Sequence, residues 1–274
     1  MMADNKLLYN RVCYLNLEGK VFSYDLDAGN RFQIEFSTEF NLSKVSDTCT
    51  VKLYNANDQT IELCRPATAG KTKTYKAATL EAGYKGNYGI VTAGEIFDFK
   101  SSKNGVDRIL ELKIAGNVSK LIGFPANRTY SNQNTSYIFK DLLGMAGLQA
   151  GDIKPEKEFL YGSFVAGDLR QALQRLAKDS GSDLYITANQ VYLQSPNAVK
   201  EGILLNYTSG LLQEPEKTET GYNVKCLFNY KINKGSQVIV QGKKDPIQMK
   251  VQKGKHEFNV SGNSTTEFEA VVLK

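Results

Sequence analysis

Alternation of apolar and polar residues recurs through roughly the first 115 positions, lapses in the middle of the chain and returns after position 200. Phe32, Ile34 and Phe36 alternate with Gln33 and Glu35; Cys49, Val51 and Leu53 with Thr50, Lys52 and Tyr54; Leu110, Leu112 and Ile114 with Glu111 and Lys113. Successive side chains of a strand point to opposite faces, so each segment is read as a strand with one face buried and one wet. Turn clusters separate them: Asp27-Ala28-Gly29-Asn30, Asn55-Ala56-Asn57-Asp58 and Lys103-Asn104-Gly105. The Asn104-Gly105 pair, between Ile96–Phe99 and Ile109–Leu112, predicts a hairpin. Many short antiparallel strands close most easily into a barrel or sandwich, which limits exposed edges.

Near position 117 the pattern changes. The polar stretch Asn127 to Ser136 reads as a loop. Ile138, Leu142 and Met145 then fall at helical spacing, with Asn134 or Thr135 as cap and Gly147 as stop. A second helix follows Asp168, with Leu169, Leu173, Leu176 and Ala177 on one stripe and Ser180-Gly181 at its end. A hairpin of Leu184–Thr187 and Val191–Gln194, turned at Ala188-Asn189-Gln190, completes the module. Without a Gly-rich phosphate loop joining strand to helix, it is not a nucleotide-binding βαβ unit. From about residue 201 strands return: Val224–Phe228, Gln237–Gln241 after the turn Asn233-Lys234-Gly235-Ser236, then Ile247–Val251, His256–Val260 and Glu267–Leu273.

The expected fold class is therefore mainly β with an α/β insert: two β-barrel-like domains flanking a small helix-plus-hairpin module. The expected boundaries are 1–116, 117–200 and 201–274. A chain of 274 residues can bury cores of ordinary size in two or three such units. No apolar run reaches the roughly 18 residues of a membrane span. The first residues lack a basic region followed by an apolar core, so no signal peptide is expected and synthesis is placed in the cytoplasm.

The net charge of +5 is spread thinly. Basic and acidic residues number 15 and 14 over 1–116, 9 and 7 over 117–200, and 10 and 8 over 201–274. That balance lacks the clustered basic face of a strong phosphate binder. One local exception holds five lysines, Lys243, Lys244, Lys250, Lys253 and Lys255, against the single Asp245. These are read either as a solvated face or as a contact with a partner or with passing DNA. Cys13, Cys49, Cys64 and Cys226 form no CxxC pair and sit in or beside strand patterns, which makes them buried apolar residues. With one histidine besides, no zinc set is expected, nor any other metal or cofactor.

Catalytic patterns are sparse. The single histidine, His256, stands in a strand pattern without a GxSxG elbow or an HExxH helix, and its role is left open. Glu156 with Glu158, or Glu267 with Glu269, are the acid pairs available to a glycosidase-like reaction, although alternate acids on a strand ordinarily face water. Ala69-Gly70-Lys71-Thr72 imitates the end of a phosphate loop, but Arg65 stands where that motif needs glycine. No catalytic residue is assigned.

Three phrases occur in an order that resembles one family. LEAGYKGNYGIVTAGEI (80–96) resembles a strand, Gly-rich turn and strand of phage tail hub proteins. GDLRQALQRLAKDSGSDLYITANQVYL (167–193) resembles the helix and hairpin inserted between their barrels. VKCLFNYKINKGSQVIVQG, followed by GKHEFNVSGNSTTEFEAV, resembles their second barrel. The chain is thus similar to baseplate hubs of tailed phages and to relatives in contractile injection systems and type VI secretion spikes. The resemblance implies a non-enzymatic virion protein, made in the bacterial host cytoplasm. It implies a homotrimer whose six barrels form a pseudo-sixfold ring around a DNA passage. A tail-tube or distal tail protein would lie on one side and a separate spike, tip or fibre on the other. A tail-associated cell-wall hydrolase and a host-surface carbohydrate-binding module are the alternatives.

Overall fold

The computed structural model describes residues 10–42, 44–69, 72–116, 118–121, 124–187, 190–196, 198, 202–243 and 245–273. The first β unit contains β1 (Arg11–Leu17), β2 (Lys20–Asp25), β3 (Ile34–Asn41) and β4 (Thr48–Tyr54). After the short helix α1 (Asp58–Leu63) come β5 (Lys76–Tyr84), β6 (Asn87–Asn104) and β7 (Asp107–Ala115). All pairings in the order β3-β4-β7-β6-β5-β1-β2 are antiparallel. Beyond β2 the sheet bends back on its start. Arg31 pairs with Tyr24, the Phe32 amide donates to Ser23 O at 3.1 Å, and the Tyr54 amide to Gln33 O at 3.2 Å. Inside lies one core that includes Leu15, Ile34, Val51, Leu80, Leu110 and Leu112. The alternating residues read from the sequence point into it, except Phe32, which lies outside β3, 43% exposed, edge-on to Phe22.

The insert starts with β8 (Pro125–Asn134), followed by α2 (Thr135–Met145), β9 (Gln149–Lys154), β10 (Leu160–Asp168), α3 (Leu169–Asp179), β11 (Asp183–Thr187) and β12 (Gln190–Gln194). Both helix starts match the sequence reading. Asn134 Oδ1 accepts the Tyr137 amide and Asp168 Oδ1 the Gln171 amide, satisfying donors that an uncapped helix leaves free. Gly147 (φ 61°) and Gly181 (φ 65°) end the helices in left-handed conformation. Met145 is more exposed than its helical spacing implied. The stretch 127–136 is not a loop. Ala126 and Tyr130 are buried, and β10 bonds with β8 into a ribbon that covers the helices. β9 lies parallel to β12, an unforeseen pairing. Of the turn Ala188-Asn189-Gln190, the first two residues lie outside the described set.

The second β unit holds β13 (Ile203–Asn206), β14 (Tyr222–Leu227), β15 (Gln237–Gln241), β16 (Ile247–Asn259) and β17 (Thr265–Val272), hydrogen-bonded as β14-β17-β16-β15-β13. The chain after β13 turns back to β14, where the Leu227 amide donates to Gly210 O at 2.8 Å and the Leu212 amide to Lys225 O at 3.0 Å. The two strands expected at 247–251 and 256–260 are one. A bulge at Gln252 keeps the backbone extended and changes neighbours: β15 pairs with its first part and β3 with its second. The β3–β16 ladder joins both β units into one sheet. Phe258 and Val260 pack in the first core while Phe40 packs in the second.

A second revision concerns Asn55-Ala56-Asn57-Asp58. It is a turn, with Asn55 at φ 58°, but it also opens α1: Asn57 Oδ1 accepts the Thr60 amide at 2.9 Å. The Asn104-Gly105 hairpin is present between β6 and β7.

Candidate functional site

Strand alternation on β3 sends Ile34, Phe36 and Phe40 inward and leaves Glu35, Ser37 and Glu39 on the other face. Two rows of charge start from those glutamates and run across neighbouring strands. One row is Glu35, Lys52, Glu111, Lys100 on β3, β4, β7 and β6. The other is Glu39, Lys255, Glu267, Lys225 on β3, β16, β17 and β14. Each step joins opposite signs across directly paired residues, the spacing of neighbouring strands being about 4.8 Å. Beside them Lys253 meets Glu269 at 2.8 Å, Lys113 meets Asp98 at 2.8 Å, and Lys225 meets Glu267 at 2.6 Å. Over the second row lies a groove of about 560 Å³, lined among others by Glu39, Lys44, Lys225, Lys253, Lys255 and Glu269.

The five lysines singled out in the sequence separate in space. Lys253 and Lys255 stand on this face, Lys255 also paired with Glu257, whose hydrogen bond raises the lysine pKa. Lys243 is exposed in the turn after β15, its amide donating to Glu214 at 2.8 Å. Lys244 lies outside the described residues. Lys250 departs from the expectation of a free contact residue. The bulge at Gln252 returns it to the face of Lys253, but the insert covers it there. Its ammonium donates to Asp183 at 2.9 Å and to Pro196 O at 2.7 Å, and the residue is 6% exposed.

His256 points the other way, into the join between the β units. Its ring lies 4.9 Å from Phe40 and 5.3 Å from Phe228, and Nδ1 is 2.8 Å from Thr266 Oγ1. Burial pushes its pKa down to about 3, opposed only in part by the Ile232 backbone, so the ring is neutral at ordinary pH. The four acids considered for hydrolysis have other engagements. The Ser195 hydroxyl bonds to Glu156, the Ser136 amide and hydroxyl to Glu158, and the lysines above pair with Glu267 and Glu269. All four cysteines are buried free thiols, and burial raises the pKa of each.

Three residues of consequence escaped the sequence reading: Lys234, Asp47 and Asp183. Lys234 looked like part of a turn. Its ammonium is fully buried, 2.8 Å from Asp47 Oδ2 and 2.9 Å from Lys44 O. Its partners lie almost 190 positions earlier, and nothing local in the sequence marks them.

The fold has counterparts among solved structures. A 43 kDa tail protein of prophage MuSo2 from Shewanella oneidensis aligns with TM-score 0.66 at 10% identity, over 95% of this chain and 97% of that one. A tail protein from Neisseria meningitidis MC58 aligns with TM-score 0.66 at 9% identity, over 96% and 97%. An E. coli component of the type VI secretion system aligns with TM-score 0.64 at 11% identity, over 95% and 77%. No curated protein sequence matches the chain. The sequence profile of the family described as "Baseplate hub gp41" matches residues 24–249, so this chain belongs to that family of structural phage tail proteins.

Proposed function

We propose that the chain is a tail hub that assembles as a homotrimer, each copy giving its two β units to a pseudo-sixfold ring around a DNA passage. The ring joins a sixfold tail tube to a separate threefold spike, tip or fibre. The observation that carries this reading is the edge-to-edge union of the two β units through β3 and β16. Each sheet turns back on itself through a segment that changes neighbours, residues 30–33 in the first and 203–212 in the second. Each also displays a row of four alternating charges starting from β3. Two such units held in a fixed relation let three chains offer six similar docking surfaces to a sixfold neighbour. The family membership and the likeness to tail proteins support the same role.

In this reading the domains keep approximate limits of 1–116, 117–200 and 201–274, and the charge-alternating face lines the passage. Lys243, Lys253 and Lys255 are the lysines offered to passing DNA or to a neighbouring ring. Glu269 across the strand pair and Glu257 on the same strand balance the last two, so phosphates are not gripped and DNA can slide.

Light scattering and negative-stain imaging of the purified protein, alone and with a tail-tube protein, test the assembly. A threefold mass and a six-lobed ring with a central hole are expected. A chain that stays monomeric under both conditions overturns the ring. Tight, salt-sensitive retention of duplex DNA by the trimer overturns the balanced passage.

A further inference from the structure

We propose that the α/β insert is a separately stable body latched onto the β units by the buried lysine Lys250, beside a loop that Lys234 braces, and that breaking the latch undocks it without unfolding it. The β units share apolar cores, Phe40 on one side and Phe258 with Val260 on the other. The insert has its own core, built from Ile138, Leu142, Phe164, Leu173, Leu176 and their neighbours. Val45 from a β unit packs against it.

The seat also carries specific polar contacts. The Ile186 amide donates to Val45 O at 2.7 Å, and Asn233 Nδ2 donates to Thr187 Oγ1 at 2.8 Å. A cavity of about 30 Å³, room for roughly one water, is lined by polar residues such as Asp47, Thr187 and Asn233 and by apolar ones such as Phe40, Val91 and Ile186. Gly235 (φ 77°) lies so near the Tyr185 hydroxyl that a Cβ there would come within 3.0 Å of it.

Among the described residues, Lys234 and Lys250 are the lysines whose ion pairs are buried on the lysine side, and both bonds leave the second β unit. Lys250 reaches Asp183 at the start of β11. Lys234 reaches Asp47, in the same loop whose Val45 carbonyl holds Ile186. Burial lowers the Lys234 pKa and raises that of Asp47, so removing both charges from water costs more than their attraction returns. Such a pair gives a specific geometry rather than a deep energy well. A partner bound to the insert can then reorient it while the β3–β16 seam stays intact.

Hydrogen exchange on the full chain and on the Lys250→Met variant tests this. The Ile186 amide, which bonds to Val45 O across the seat, should exchange at least ~10-fold faster in the variant. Amides of α2, α3 and the β3–β16 ladder should keep their protection. Unchanged exchange at Ile186, or faster exchange throughout, overturns the latch. Should the variant fail to fold, low urea applied to the wild-type chain asks the same question. Opening at Ile186 before the seam supports the latch; opening of both together overturns it.

Discussion

Where the two β units meet, Phe36 and Phe258 stack with centroids 5.1 Å apart and rings inclined by 8°, and seven residues of β16 pair with β3. Where the insert meets them, the contact consists of one buried ion pair, Lys250 with Asp183, a few hydrogen bonds and a small number of apolar side chains around Val45 and Ile186. The first junction is a continuous ladder of main-chain bonds over shared apolar cores, so it is hard to separate. The second rests on the Lys250 ion pair and side-chain and main-chain hydrogen bonds, without a continuous strand ladder. A molecule that needs two parts in fixed relation and a third that can be repositioned uses the two kinds of contact where each suits.

The largest expected effect comes from cutting the seam. Phe258→Ala removes a buried ring from the first core, and a loss of about 4 kcal/mol in urea denaturation is expected. A loss under ~1 kcal/mol would mean that the seam is not a shared core. Beside the seat, in the pair that ties the second β unit to the loop after β3, Lys234→Met leaves the Asp47 carboxylate buried without its partner and should cost about 3 kcal/mol. Lys234→Met with Asp47→Leu should recover most of it, to within ~1 kcal/mol of wild type. If the double variant is no better than the single, the pair stabilises the fold outright and the contrast weakens.

Acid sharpens the comparison, because His256 lies in the seam. The unfolded chain takes up a proton at the ordinary histidine pKa near 6.5, whereas the folded ring resists until about pH 3. Its contribution to stability is therefore complete above pH 6.5 and is lost as pH falls toward 3. Between about pH 6.5 and pH 5 the decline should approach 2 kcal/mol. His256→Gln should flatten that part of the curve, and an unchanged slope would remove the seam histidine as its cause. Smallest of all, Lys253→Glu breaks an exposed pair with Glu269 and should shift stability by less than ~1 kcal/mol. A larger loss would show that the charged face supports the fold and is not simply carried by it.

Much of the architecture was legible because it is written locally. Cys49, Val51 and Leu53 have to share a face in any strand, and Asn134 and Asp168 can satisfy amides only at helix starts. The polar stretch 127–136 misled because only Tyr130 and Thr135 in it are buried, and its strand exists through bonds to β10, some 35 residues on. The break expected within 247–260 was a bulge, which local composition does not distinguish from a turn. On the candidate face the lysines could be found as a cluster, but their balance by Glu267 and Glu269 required the register of β16 on β17.

By itself the order of residues determined the class of fold, the helix ends, the buried thiols and the family likeness, since each follows from short-range periodicity, capping and turn chemistry. Only tertiary structure decided that the two β regions form one sheet, that His256 lies between Phe40 and Phe228, and that Lys234 closes on Asp47. Those outcomes depend on which surfaces the compact chain brings together, and a residue's near neighbours carry no record of a partner almost 190 positions away.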